Sequence, residues 1–200
     1  ENFRIITGTA RYTIPPTNKH DEPTPLTNHN EMLYPWQTLK YRYEYCTGGK
    51  TGWTAVARST LVTYAEKDGM SLGCVVMHTE PPAQWVDSTN LFEYAFDNFQ
   101  IYNIADNETK YDTSKPVNAG ILNNGSRAFV DIDENAGIIL PKTTEFSNAA
   151  SEIRYDAVGE NVAGTLVYTY AGPEVGRADI VRTGVEIQGL VYDNQKPEAA

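Results

Sequence analysis

The chain has 200 residues, with 26 acidic and 16 basic side chains, a formal net charge of −10 and a pI near 4.7. This length allows one or two domains with a real core, and the negative charge excludes nucleic acid as an expected partner because its phosphates would be repelled. No apolar run approaches a membrane-spanning length and no signal peptide is visible. Because the chain begins with Glu1, we expect a processed or excised piece whose export signal or anchor lies outside it.

Residues 1–27 contain a proline-rich run that we expect to form a loop. After an apolar start, this segment carries Pro15-Pro16, Pro23 and Pro25 with polar residues between them, which is typical of an irregular surface loop. The histidines at positions 20, 29 and 78 have no second histidine or cysteine at metal-ligand spacing, so we expect neither a metal site nor a cofactor.

Three strands are predicted next, over residues 41–54, 57–66 and 71–77. Asp68-Gly69 between two apolar runs favours a hairpin, so the strands should form an antiparallel meander with Lys50 at its outer edge. Cys46 and Cys74 would then lie roughly 9.5 Å apart on strands that are not neighbours. A disulfide tolerates about 7 Å between Cα atoms, so we expect two free, buried cysteines.

A helix should follow Pro81-Pro82, which end the sheet. Asp87 and Ser88 are plausible N-caps. The apolar residues that follow at helical spacing are Leu91, Phe92, Ala95, Phe96 and Phe99. This amphipathic helix should cover one face of the sheet.

Beyond residue 103, short β-type runs alternate with Asn-Gly, Glu-Asn, Asn-Ala and Gly-Pro turns, which favours a small β-sandwich. The runs are 121–122, 128–132, 138–140, 166–170 and 185–191. The predicted fold class is therefore α+β, with a domain boundary near residue 102.

The stretch from Cys46 to Thr54 holds three glycines, one lysine and three threonines, which indicates an anion site. A phosphate-binding P-loop would need a glycine at position 44, which is Glu44, and a helix after Thr51, where a β-branched segment follows instead. We therefore reject the P-loop.

The alternative is the Lys-Thr-Gly strand of serine penicillin-binding proteins and serine β-lactamases. Its sequence context consists of Asn28-His29-Asn30-Glu31-Met32-Leu33, then residues 45–54, 61–70 and 75–77. In that order they resemble the second half of the low-molecular-mass penicillin-binding proteins that are serine D-Ala-D-Ala carboxypeptidases. Residues 157–166 resemble the carboxyl-terminal all-β domain of the same enzymes.

The resemblance implies the antiparallel-sheet part of a β-lactamase/transpeptidase-like domain at 1–102, followed by a small all-β sandwich domain at 103–200. It assigns the positive charge to Lys50, the carboxylate-binding hydroxyl to Thr51 and the position that admits substrate to Gly52. Trp53 would give its backbone N–H to the oxyanion hole, and Thr54 would add a hydrogen bond.

The implied substrate is the D-Ala-D-Ala end of a peptidoglycan stem peptide, attacked through an acyl-enzyme, and β-lactam antibiotics would bind the same site. The implied location is the extracytoplasmic envelope of a bacterium. No cofactor is implied.

This mechanism also needs a Ser-x-x-Lys motif, and no serine of the chain has lysine three residues later. Ser88-Thr89-Asn90 fits the accompanying Ser-x-Asn motif, but it follows the Lys-Thr-Gly strand instead of preceding it, so a helix cap is the better interpretation. We therefore expect this chain to be inactive alone and to need the missing amino-terminal half of the same protein. Excision from a longer gene, proteolysis and a natural split all remain open.

Two further hypotheses stand beside this one. The chain could be a non-catalytic cell-wall-binding or scaffold protein that retains the fold. It could also be an unrelated β-rich surface protein in which Lys-Thr-Gly is a chance turn, which predicts a fully solvated Lys50 at a loop tip.

A missing half would leave apolar surface exposed, so we also expect a homodimer, strand exchange or a bound partner chain.

Overall fold

The computed structural model describes residues 2–111, 117–118, 127–155 and 161–186. It divides into two compact units, Glu1–Gln100 and Ile101–Ala200. None of the helices in the described ranges combines the length and apolarity that a membrane crossing requires.

The first unit opens with helix α1 (Asn2–Gly8) and a two-stranded ribbon of β1 (Arg11–Ile14) and β2 (Thr24–Thr27). The predicted irregular proline-rich loop corresponds mainly to the stretch between β1 and β2, but it is wrong at its end, where residues 24–25 join β2. Pro25 lies within β2 opposite Thr13. A proline is tolerated there because a two-stranded ribbon leaves the outer side of each strand without a ladder.

The central sheet confirms the predicted antiparallel meander. Its strands are β3 (Cys46–Thr54), β4 (Arg58–Lys67) and β5 (Met70–Thr79), in the order β3-β4-β5. Asp68 and Gly69 connect β4 to β5 with φ angles of 51° and 79°, the backbone that a two-residue hairpin turn requires.

The first strand of the meander is shorter than predicted. Residues 39–41 form a 3₁₀ turn, and Tyr43 donates its backbone N–H to Met32 instead of joining the sheet. Tyr43 is 8% exposed and stacks on Phe92 with ring centroids 5.8 Å apart. Tyr43, which the predicted strand 41–54 included, therefore belongs to the core instead.

Helix α2 (Ala83–Asn98) starts directly after Pro82, ahead of the predicted start near residue 88. A proline at a helix start loses nothing, because its missing N–H would have no intrahelical partner there. Ser88 consequently lies inside the helix, fully buried, with its Oγ 3.8 Å from the sulfur of Cys74. The predicted capping role of Ser88 is therefore wrong.

The predicted covering of one sheet face by this helix is confirmed. The buried side chains of the cluster that α2 forms with the sheet are Leu61, Ala65, Met70, Cys74, Val76, Trp85, Phe92 and Phe96. The opposite face carries exposed Val75 and half-buried Val62 and Tyr64.

The second unit is built mainly of strands. Strand β6 (Phe99–Asn103) begins two residues before this unit and continues into it. The elements that follow are α3 (Ile104–Asn107), β7 (Val117–Asn118), β8 (Arg127–Ile132), β9 (Gly137–Pro141), β10 (Ala150–Arg154), β11 (Val162–Thr169) and β12 (Glu174–Glu186). The strands pair in the order β10-β11-β12-β8-β7, and β9 joins β12 and β6. Ile104, Ile138, Leu140 and Leu166 are fully buried in its core.

The strands predicted at 128–132, 138–140 and 166–170 correspond to β8, β9 and β11. The one predicted at 185–191 begins much earlier, at Glu174, and its residues 187–191 lie outside the described residues, as does the run 121–122. β10 was not predicted, because its Ala-Ser-Glu-Ile-Arg sequence lacks an apolar run. The α+β class with antiparallel sheets is confirmed.

Replacing Phe92 by alanine should destabilise the first unit by about 3–5 kcal/mol, since the side chain is 2% exposed between Tyr43 and Phe96. Leu91→Ala is the matched control, because Leu91 is 51% exposed on the same helix. Denaturant unfolding followed by tryptophan fluorescence reports this unit, which contains all three tryptophans. Equal losses for the two variants would contradict the assigned core.

Candidate functional site

Lys50 lies in the middle of β3, an edge strand of the meander. It is exposed, and it pairs with Val62 of β4 on the sheet face away from α2. The chance-turn hypothesis predicted a loop tip for this lysine and is wrong on that point.

The glycines around Lys50 are required by close packing. A Cβ on Gly49 would lie 2.5 Å from the Val62 carbonyl oxygen and 2.8 Å from Asn30 Nδ2. A Cβ on Gly52 would lie 2.6 Å from Thr60 Oγ1. Gly48 and Gly49 both lie within β3.

The ammonium group of Lys50 donates a hydrogen bond to the Thr51 carbonyl. Within the described ranges no carboxylate forms an ion pair with Lys50, and the half-buried Thr51 has no side-chain hydrogen bond. A cation and a hydroxyl without a side-chain partner among the described residues therefore follow each other along this edge strand, and each is a donor from which a carboxylate can accept.

Lys50 and Thr51 line a groove of about 560 Å³ beside β3, within the first unit. The lining residues are Ile5, Ile6, Thr7, Thr9, Ala10, Arg11, Tyr12, Leu26, Thr27, Asn28, His29, Gly49, Lys50 and Thr51. Among these there is no aspartate, glutamate or serine, while Arg11 adds a second cation. The groove thus combines apolar walls with positive charge, and it offers no hydroxyl nucleophile of the Ser-x-x-Lys type.

The remaining predicted site residues follow on the same strand. Trp53 is 65% exposed, and Thr54 Oγ1 accepts a hydrogen bond from the Ala57 N–H, 2.9 Å away, in the turn to β4. The oxyanion role of the Trp53 N–H and the substrate contact of Thr54 stay predictions.

A buried polar cluster lies behind the glycines of β3. Thr63 Oγ1 donates to the Gly48 carbonyl at 2.8 Å and accepts from Asn30 Nδ2 at 3.2 Å. Cys46 Sγ lies 3.5 Å from the same hydroxyl. Cys46 and Cys74 are both free and buried, as predicted, and burial raises the pKa of each thiol.

Sequence reasoning missed several residues of the groove. Ile5, Ile6 and Arg11 precede the proline-rich run, and no local pattern joins them to Lys50. His29 lines the groove and stacks on Trp36 with centroids 4.9 Å apart. The available signal was the Asn28-His29-Asn30 triplet, whose asparagines anchor this segment to α1 and to β4.

No family model and no curated protein matches this chain. Among solved structures, it is similar to a peptidoglycan synthesis regulatory factor (PBP3) of Streptococcus pneumoniae, with 20% identity over 90% of this chain and 52% of that chain and a TM-score of 0.59. It is also similar to penicillin binding protein 5 of Haemophilus influenzae, with 19% identity over 90% of this chain and 49% of that chain and a TM-score of 0.51.

A third similar structure is the D-alanyl-D-alanine carboxypeptidase DacD of Francisella tularensis. The identity is 23% over 84% of this chain and 40% of that chain, with a TM-score of 0.43. This chain therefore spans between 40% and 52% of the length of these three proteins. It shares its fold with the corresponding part of penicillin-binding proteins.

Gly49→Ala should destabilise the first unit by about 1–3 kcal/mol, because the added methyl group meets the backbone of β4 and the Asn30 amide. Gly73→Ala is the matched control, since its Cβ would find the Tyr64 ring at an ordinary 3.6 Å. Thermal unfolding of both variants measures the difference. A neutral Gly49→Ala would contradict the close approach of β3 to β4.

The raised thiol pKa values predict a pH dependence of stability. An unfolded thiol titrates near a pKa of about 8.5, so above that pH the unfolded state loses protons that the folded state keeps, and unfolding becomes easier. Denaturant unfolding at pH 7.5 and 9.5 should show a larger loss for the native chain than for the Cys46→Ala/Cys74→Ala variant. Equal losses would show that the thiols do not contribute.

Proposed function

We propose that this chain is part of a serine D-Ala-D-Ala carboxypeptidase, and that its β3 strand binds the carboxylate end of a peptidoglycan stem peptide. In this proposal Lys50 supplies positive charge and Thr51 donates its hydroxyl to the substrate carboxylate. Gly52 and Thr54 contact the peptide, and the Trp53 N–H donates to the oxyanion. β-Lactams, which carry a carboxylate and a reactive carbonyl, would occupy the same site.

The observation that carries the proposal is the groove lining around Lys50 and Thr51. In a chain of net charge −10, the described residues that line this groove include two cations and no carboxylate. Charge-assisted hydrogen bonds from an ammonium and a hydroxyl are among the stronger ones available to a carboxylate. The apolar walls would accommodate the alanine methyl groups, although they would not select them.

The residues of the groove indicate which catalytic groups this chain supplies and which must come from elsewhere. Acyl transfer needs a nucleophile, a base and an oxyanion hole. In this proposal β3 provides anion binding and an N–H donor, whereas the described residues of the groove lining include no serine. We therefore propose that the nucleophile comes from a separate segment, the missing amino-terminal half, which would seat against the groove.

Exposed apolar side chains support the need for such a partner. Ile5 and Ile6 in the groove wall are 60% and 71% exposed, and surface of this kind favours association. The amino-terminal half of the same protein is the preferred occupant, and a homodimer is the alternative.

The proposed location is the bacterial envelope outside the cytoplasm. In this proposal residues 1–102 are the transpeptidase-like part, and residues 103–200 are a β domain whose role is open.

A second candidate is a non-catalytic cell-wall-binding or scaffold protein with the same fold. It is favoured by the absence of Ser-x-x-Lys from the chain. It leaves unexplained why Lys50, Thr51 and Gly52 occur together beside a groove whose described lining has no carboxylate.

Incubation with excess penicillin, followed by intact mass spectrometry, tests the proposal. The chain alone should form no adduct, whereas the polypeptide encoded upstream of residue 1 should become acylated when the two are mixed. Lys50→Ala should slow this acylation on the order of 10²-fold or more, the usual cost of removing one electrostatic contact to the reacting group. Lys19→Ala, in the exposed β1–β2 connection, is the matched control.

The outcomes separate the candidates. No adduct on either polypeptide, although they associate, would favour the scaffold. An adduct on this chain alone would show that its nucleophile has been overlooked.

A further inference from the structure

A β-bulge in β3 decides on which face of the sheet Lys50 lies. Cys46 pairs with Ala65, but the next pair is Gly48 with Tyr64, so Thr47 has no partner on β4. Beyond this point Lys50 pairs with Val62 and Thr51 with Leu61. A bulge of one residue reverses the inward and outward alternation of every residue that follows.

The consequence for Lys50 is large. An uninterrupted ladder from the pair Cys46–Ala65 would place Lys50 opposite Leu61, which is fully buried beneath α2. The ammonium group would then face the apolar core without a partner, at a prohibitive desolvation cost. With the bulge, Lys50 is exposed and lines the groove.

Side-chain hydrogen bonds hold the bulge in place. The carbonyl of Gly48, the residue after the unpaired Thr47, accepts a hydrogen bond from a side chain of β4. Thr63 Oγ1 donates to the Gly48 carbonyl at 2.8 Å, and Asn30 Nδ2 donates to Thr63 Oγ1 at 3.2 Å. Asn30 and Thr63 are both fully buried, so no solvent replaces either bond. Cys46 Sγ completes the cluster at 3.8 Å from the Gly48 carbonyl.

Asn30 is itself fixed by the backbone around it. Its N–H donates to Asn28 Oδ1 at 3.0 Å, and its Oδ1 accepts the Met32 N–H at 3.1 Å. The Asn30 amide therefore presents its donor to Thr63 in one orientation. On the other side of the bulge, Gly8 at the end of α1 approaches so closely that a Cβ there would lie 2.7 Å from the Thr47 carbonyl oxygen.

We propose that Asn30 and Thr63 are positioning residues that lock the bulge at Thr47 and thereby present Lys50 to the groove. Neither residue lines the groove, and both act through the Gly48 carbonyl. The consequence for substrate binding rests on the proposed function, whereas the consequence for strand register does not.

Thr63→Val removes the hydroxyl and keeps the side-chain shape, whereas Thr63→Ser keeps the hydroxyl. Native-state hydrogen exchange should show faster exchange at the protected amides of β3 in Thr63→Val, on the order of tenfold or more, because Gly48 and Asn30 lose a buried partner. Amides shared by β4 and β5 should change much less, and Thr63→Ser should restore the native rates. Thr60→Val, on the same strand but facing away from α2, is the matched control.

Unchanged exchange in β3, an equal increase across all three strands, or failure of Thr63→Ser to restore β3 would each overturn the proposal. If Thr63→Val does not fold, Cys46→Ala is the second variant, because it removes only the sulfur contacts. It should cause a smaller increase in the exchange rate of the same β3 amides, and an unchanged rate would count against the proposal.

The penicillin assay, with the upstream polypeptide added, should show slower acylation in Thr63→Val and rescue in Thr63→Ser. If the native chain supports no acylation, the proposed function fails, while the exchange result still decides the bulge.

Discussion

The architecture of the first unit depends on the pairing of β3 with β4, and that pairing contains one unpaired residue. Before Thr47 the side-chain alternation places Cys46 against the core, and after it the alternation is reversed. The apolar face of the meander can therefore be covered by α2 while Lys50 stays on the opposite face. A regular ladder would make these two requirements incompatible, since alternate residues share a face.

The polar cluster that accompanies this irregularity is buried, and its main members are hydrogen-bonded. Asn30 and Thr63 satisfy each other and the Gly48 carbonyl, so the cost of burying them is offset. Glycine at position 49 then becomes a requirement, because the Asn30 amide occupies the space of its side chain. The same contacts thus explain the glycine at position 49 and the local strand geometry.

The net charge of the chain and the local charge of the groove have opposite signs. The chain carries a net charge of −10, yet the described groove lining combines Lys50 and Arg11 with no carboxylate. Nearby charges dominate the potential at a site because more distant ones are screened over about 10 Å at moderate salt. The composition argued against nucleic acid as a partner, but it said nothing about the small positive groove.

The sequence by itself determined the features that local chemistry specifies: the Asp68-Gly69 turn and its meander, the strand around Lys50, and the apolar stripe of Phe92 and Phe96. Two-residue turns and side-chain periodicity act over a few residues, so they can be read directly. Other features were decided by the tertiary structure: the start of α2 at Ala83, the burial of Ser88, the bulge at Thr47, and the groove that joins Ile5 and Arg11 to Lys50. Each depends on contacts between residues distant in sequence or on competition between packing and capping, and no local pattern encodes these.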